Sequence, residues 1–344
     1  MAVNVPRAKP RLAFPQHNSL TTITITAITT NMSKLLVVFG ATGQQGGSVV
    51  DYVINDPELS KQYRVRGVTR DPSKPAAQAL REKGVELVQG DLDHAESVAQ
   101  ALQGSHTVFL TTNTIHQRGG AQKEISQGKA VADAAVAAGA QYLIFSTAPR
   151  AAKISGVDGL KVVVFDTKAE VDEYIRGLPL KSAFFSPGGF MQNYHKGMAP
   201  RPVGDGTYAI ASILKPTTQI PLIDIVGDTG KFVGAILAEP DKYAGATFVA
   251  ATRLYSMDEI AQTISEATGQ TVRYTELPEE VFRQFMTGPD GQLADNMVEM
   301  LGLFRDHGYF GPRQRELVEW TAQQARGKLT TLAEYLAKNP INLA

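Results

Sequence analysis

A short apolar run, Lys34-Leu-Leu-Val-Val-Phe39, ends in three glycines spaced Gly40-x-x-Gly43-x-x-Gly46. A segment with helical apolar spacing follows at once. This is the strand, tight turn and helix that hold a dinucleotide pyrophosphate. Gly40 permits a sharp turn off the strand. Gly43 lets backbone approach a phosphate with no Cβ in the way. Gly46 lets the helix pack close to the strand. The free N–H groups and the positive end of the helix dipole face the anion. The turn residues Gly40, Thr42, Gly43, Gln44, Gln45 and Gly46 are therefore candidate cofactor contacts.

Strand-like runs then alternate with helix-like ones. The pattern predicts strands at Leu35–Phe39, Tyr63–Thr69, Val85–Val88, Thr107–Leu110 and Tyr142–Phe145. It predicts helices from the glycine turn to about Ile54, around Ala76–Lys83, at Ala95–Leu102 and at Gly128–Ala138. Short apolar strands separated by helices imply an α/β fold, a doubly wound parallel sheet covered on both faces. Ligands bind at the carboxyl ends of such strands. After about residue 186 the rhythm breaks into a Pro- and Gly-punctuated stretch. Helices are expected at Gly227–Leu237, at Met257–Thr268, after Pro278 and at Leu293–His307, with a strand at Thr247–Ala250. Met297, Met300, Leu301 and Phe304 are expected to share one helix side. The organisation read from this is a disordered leader at 1–31, a Rossmann domain at 32–186 and a smaller C-terminal α+β lobe at 187–344. Some late segments are free to return to the main sheet. The lobe should cap the cofactor edge and form a cleft.

The first acidic residue is Asp51, and the leader carries Arg7, Lys9, Arg11 and a Thr/Ile tract. It has few arginines and little helix-forming character. It reads as a disordered extension rather than a mitochondrial transit peptide, which places the protein in the cytoplasm or nucleus. Deleting 1–31 should leave cofactor binding intact. The 34 basic and 34 acidic residues balance to zero net charge, so no global field draws in nucleic acid or anionic membrane. There is no cysteine, and the six histidines are scattered. Disulfides, thiol nucleophiles and a metal centre are not expected.

The tip of the second strand decides which dinucleotide is expected. An NAD site places a carboxylate there for the ribose 2′-OH, whereas an arginine suits the 2′-phosphate. Arg70 offers a bidentate fork and Lys74 a second positive charge. Asp71 lies one residue beyond the tip, before Pro72 turns the chain away. The expected cofactor is NADP, as NADP+ or NADPH. Asp91 and Leu92 end the third strand, where adenine should lie. Thr111, Thr112 and Asn113 end the fourth, near the nicotinamide ribose.

Reduction of a carbonyl needs an acid as hydride arrives. The usual arrangement is a serine, then Tyr-x-x-x-Lys on one helix face, where the lysine lowers the tyrosine pKa. Ser146 ends the fifth strand at a suitable place and Lys168 lies on the next helix. The residue four before Lys168 is Val164, which donates no proton, and Tyr174 falls six after it, on another face. Lys168 then has two roles open to it. It is itself the proton source, through a lowered pKa, or it binds the nicotinamide ribose.

These residues resemble the NmrA-like branch of the atypical short-chain dehydrogenase/reductases. The matching elements are Val37–Val49, Val68–Pro72, Gln89–Asp93 and Phe165–Tyr174, with Pro187–Asn193 and Met300–Tyr309. The likeness runs from about Lys34 to Leu343. It implies a Rossmann domain with a smaller C-terminal lobe. It also implies cofactor contacts at the glycine turn, Arg70, Lys74, Asn113 and Lys168, with Phe190 and Asn193 near the nicotinamide end. Some members of that branch lack the tyrosine and act as NADP(H)-binding redox sensors or transcriptional co-regulators through protein partners. Others are oxidoreductases, and relatives that reduce enones or imines also lack it. Two expectations follow. The first is an NADP(H)-binding sensor or co-regulator. The alternative is an NADPH-dependent oxidoreductase acting on a small carbonyl, enone or imine, with Lys168 as proton source. Direct nucleic-acid binding is not expected, because no basic stripe is present.

Overall fold

Strand β1 (Lys34–Phe39) is buried at every residue after Lys34, as a central parallel strand covered on both faces must be. The computed structural model describes residues 33–286 and 291–343. The leader and its expected disorder lie outside the described residues. Five further strands, β2 (Tyr63–Thr69), β3 (Glu86–Gln89), β4 (Thr107–Leu110), β5 (Tyr142–Ser146) and β6 (Lys181–Pro187), join β1 in one sheet. The seventh member is Thr247–Ala250, which pairs with β6. The order is Thr247–Ala250, β6, β5, β4, β1, β2, β3, and every pairing is parallel. The winding reverses between β1 and β4. This is the switch point at which a crevice opens beyond the strand ends.

The alternation of β1 feeds two cores. Leu36 and Val38 pack with Val49, Val50 and Val53 of α1 (Gln44–Asn55) and with Phe232 and Val233 of helix Thr229–Ala238. Leu35, Val37 and Phe39 pack on the opposite face. Their neighbours are Val98 of helix Ala95–Ala101, Val131 and Ala135 of helix Gly120–Ala137, and Val171 of helix Val163–Arg176. Elements from beyond residue 187 thus contribute both a strand and a covering helix to the Rossmann unit.

The remaining strands form two small sheets. One is Gly189–Phe190, Gln219–Ile223 and Arg253–Ser256, and the other is Arg201–Pro202, Tyr208–Ser212 and Val272–Glu276. A separate core joins Ile210, Ile260, Leu301, Phe304 and Leu336 to Ala151, Val162 and Phe165, which follow β5 in the chain. Helix Gln292–His307 packs against helices Ala151–Ser155 and Val163–Arg176, so the lobe leans on the elements that leave the tip of β5.

Several boundaries differ from the sequence pattern. The helix expected from Gly128 begins at Gly120, one full polar stretch earlier, with Gly119 at its N-cap in the left-handed region. The Gly119-Gly120 pair looks like a loop in sequence, yet its positive φ of 78° starts the helix. On helix Gln292–His307 the buried face is Ala294, Val298, Leu301 and Phe304, with Met297 and Met300 half-buried at its flank. Helix Leu332–Lys338 carries a capping box between Thr331 and Glu334, a spacing legible in sequence. Among the described residues no helix is long and apolar enough to cross a membrane.

Candidate functional site

The glycine turn is built by contact. Gly40 has φ +69°, and a Cβ there would lie 3.1 Å from Thr111 Cγ2. A Cβ on Gly46 would sit 2.3 Å from the Gly40 carbonyl oxygen, so the first turn of α1 rests directly on the strand exit. Gly43 is the N-cap of α1, with no side-chain cap and no acidic residue in the first turn. The amides of Gln44, Gln45 and Gly46 therefore have no intrahelical acceptor. Thr42, Gly43 and Gln44 are exposed and Gln45 is half-buried. This cradle fits a pyrophosphate: a side chain at Gly46 would push the first turn of α1 off the strand exit, and no acidic residue in that turn competes for the helix dipole.

At the tip of β2 stand two cations. Arg70 and Lys74 are exposed, and neither side chain makes a hydrogen bond or salt bridge among the described residues. Asp71 is occupied instead. Its Oδ1 accepts from the Ser73 amide at 2.9 Å and from the Ser73 hydroxyl at 2.5 Å. These bonds, with Lys74 nearby, hold its carboxyl below the usual range. Arg70, Asp71, Ser73, Gln78, Arg81 and Gln89 border an open depression of about 560 Å³. At the end of β3, Asp91 Oδ1 caps the Asp93 amide at 3.1 Å, and Leu92 packs half-buried on the core. Asp91 and Leu92 thus close a turn at the expected place.

Beyond β4 the arrangement is tighter than its sequence suggests. Thr111 is half-buried, Thr112 is buried and Asn113 is exposed. Lys168 Nζ lies 2.5 Å from Glu124 Oε1 and 3.2 Å from both the carbonyl and the hydroxyl oxygen of Thr112. The Thr112 hydroxyl in turn donates to Glu124 Oε1 at 2.6 Å. Three acceptors thus face the three N–H groups of the ammonium. Glu124 is only 1% exposed, so the Lys168 charge is matched by a buried carboxylate. Sequence reasoning missed Glu124. It lies 44 residues from Lys168, on the part of its helix that reads as loop. Its only sequence signal is an acidic residue among the apolar positions of that helix.

Ser146 Oγ donates to Gln45 Oε1 at 2.7 Å, which ties the tip of β5 to the first turn of α1. Val164 is half-buried against the lobe core. The Tyr174 hydroxyl donates to Asp133 Oδ1 at 2.6 Å, on an exposed surface. Phe190 ends the short strand that pairs with Ile223 and packs half-buried on the first core. Asn193 lies in the 3-10 turn Met191–His195, and its carbonyl accepts from the amides of Lys196 and Met198, each at 3.0 Å. The structure thus brings Gln45 to Ser146, Gly40 to Thr111, and Lys168 to Thr112. Phe190 and Asn193 sit on a short strand and the 3-10 turn that follows it, and among the described residues neither hydrogen-bonds to the others. Among the described residues no group of three or more His, Cys, Asp or Glu side chains is placed to hold a metal ion.

Comparison with known proteins gives a consistent result. The sequence profile of the NmrA-like family matches residues 32–336. The NmrA-like family domain-containing oxidoreductase ptmS of Penicillium ochrochloron is 30% identical over 263 residues, covering 71% of this chain and 76% of that protein. Among solved structures, NmrA, a negative transcriptional regulator crystallised in complexes with NAD and with NADP, superposes with a TM-score of 0.75. It is 23% identical, over 89% of this chain and 95% of NmrA. The Citrobacter sp. triphenylmethane reductase complexed with NADP(H) has a TM-score of 0.71 at 19% identity, over 88% of this chain and 99% of that one.

Proposed function

The chain belongs to the NmrA-like family, and from that premise we propose that it is an NADPH-dependent oxidoreductase for acceptors that need no strong acid from the protein. The amides of Gln44, Gln45 and Gly46 would hold the pyrophosphate, and Arg70 and Lys74 the 2′-phosphate. When bound, NADPH supplies a hydride. Thr111, Thr112 and Ser146 lie at the ends of β4 and β5, beside which the nicotinamide would lie.

The observation that carries this reading is the Lys168–Glu124 pair. A sensor must bind oxidised and reduced cofactor with different affinities, because a ligand shifts an equilibrium only by its differential affinity. The two forms differ by the positive charge of the oxidised nicotinamide. A neutral Lys–Glu pair offers no net charge with which to tell them apart. The N–H groups of that ammonium already face three acceptors, so none of them is directed at a reacting carbonyl. Lys168 therefore acts here by fixing Thr112 at the tip of β4. An imine that has taken a proton from water accepts hydride at the iminium carbon to give the amine, and an enone accepts hydride at its β-carbon to give an enolate that water protonates at the α-carbon, so neither reduction needs a proton from this ammonium. Enones and imines are the preferred substrate class, and simple ketones are poor ones. Relatives named as NmrA-like oxidoreductases support this reading.

The second reading is an NADP(H)-binding co-regulator that works through a protein partner. The likeness to NmrA, a transcriptional regulator, favours it. The test is loss of NADPH absorbance with a panel of cyclic enones, imines and ketones. Turnover with enones or imines over ketones supports the reductase. NADPH binding with no turnover on any acceptor supports the co-regulator.

A further inference from the structure

Glu124 is a buried carboxylate 12 residues after Thr112 and 44 before Lys168. It contacts only two of the residues expected at the nicotinamide end, Lys168 and Thr112. A carboxylate that is 1% exposed is costly to bury unless a cation and hydrogen bonds compensate it. Here they do. The compensation also works in reverse, because the carboxylate cancels a cation that would otherwise stand alone beside the crevice.

We propose that Glu124 is the positioning residue that makes the site indifferent to the redox state of its nicotinamide cofactor, by cancelling the charge of Lys168. The inference rests on the NADP(H) reading above and on its placement of the nicotinamide end beside the tips of β4 and β5. An unpaired ammonium would repel the oxidised ring and leave the reduced ring untouched. Its effect falls with distance and dielectric, and a unit charge some ring-widths away in a half-buried site changes affinity on the order of tenfold. Glu124 converts that bias into none. It also locks the Lys168 side chain onto Thr112, so the cation cannot swing toward the ligand.

The test is calorimetric titration of NADP+ and NADPH into the full chain and into three variants. Melting curves run alongside show that each variant is folded. The wild type should bind both forms within about threefold of each other. Glu124→Gln keeps the shape and the hydrogen-bond reach but leaves Lys168 uncancelled, and should weaken NADP+ relative to NADPH on the order of tenfold. The double variant Glu124→Gln/Lys168→Met should return the ratio to the wild-type value, which loss of structure alone would not do. Tyr174→Phe, which breaks only the exposed bond to Asp133 away from the pair, leaves the charge balance intact and should not move the ratio. An unchanged ratio in folded Glu124→Gln, or a double variant that keeps the bias, overturns the role of Glu124. Failure of the wild type to bind either form overturns the cofactor reading itself.

Discussion

The hydroxyl of Ser146 donates to Gln45 Oε1 at 2.7 Å, which joins the tip of β5 to the first turn of α1. Ser146 is 3% exposed. The bond therefore reaches from the buried end of β5 to the half-buried Gln45 of α1. Ser146, a candidate cofactor contact at the tip of β5, also braces the helix whose first turn would hold the phosphates.

Ser146→Ala removes the one donor to Gln45 Oε1 among the described residues and frees that side chain. The loss should be about 1 kcal/mol of stability. Dinucleotide affinity should fall several-fold, as the first turn of α1 loses its tether. Thermal melting and titration check the two effects separately. Unchanged melting and unchanged affinity would show that the bond does not organise the turn.

Gly46→Ala places a methyl 2.3 Å from the Gly40 carbonyl oxygen. The neighbour is backbone, so the helix start must shift. Overpacking of this kind costs about 1–3 kcal/mol, and dinucleotide binding should be lost in a protein that still folds. Circular dichroism establishes the fold, and fluorescence titration with NADPH reads the loss.

Tyr174→Phe breaks only the exposed bond to Asp133. Stability should change by less than about 0.5 kcal/mol, and turnover on any accepted substrate should be unaltered. A tenfold fall in kcat would instead make Tyr174 the missing proton donor.

Glu173 joins two cations of the segment after β5. Its Oε1 and Oε2 accept from Arg150 Nε and Nη2 at 2.9 and 2.6 Å, and Oε1 also accepts from Lys153 Nζ at 2.9 Å. The bonds from Arg150 first, then those from Lys153, hold its carboxyl at about 2, below its ordinary value of 4.5. A depressed folded-state carboxyl stabilises above its unfolded pKa and loses that contribution as it is protonated. The contribution should thus be full above about pH 4.5 and disappear toward about pH 2. It is modest, because the site is partly exposed and screened. Glu173→Gln should remove that part of the acid limb in pH-dependent melting, and the difference from wild type should shrink in high salt. An identical acid limb in the variant would show that the network contributes nothing.

Much of this architecture is legible in the sequence because the signals are local. The Gly40, Gly43 and Gly46 spacing specifies a turn whose close contacts the structure displays. The apolar run at Leu35–Phe39 marks a strand buried on both faces. Arg70 and Lys74 can be read from their place at a strand tip. What was not legible depends on tertiary packing. Glu124 finds Lys168 only after two helices dock on one sheet face. The phase of helix Gln292–His307 is set by the elements it covers, so Met297 and Met300 lie at the flank while Val298 is buried. The short strands after Pro187 pair with partners far along the chain, and their sequences carry little periodicity of their own.

The most direct test of the account is calorimetric titration of the full chain with NADPH, NADP+, NADPH's unphosphorylated counterpart NADH, and NAD+. Arg70 and Lys74 each add a charge-assisted contact to a 2′-phosphate, so both phosphorylated forms should bind at least about tenfold more tightly than the others. The difference should disappear in Arg70→Ala/Lys74→Ala. Equal binding of all four forms, or no binding of any, would contradict it.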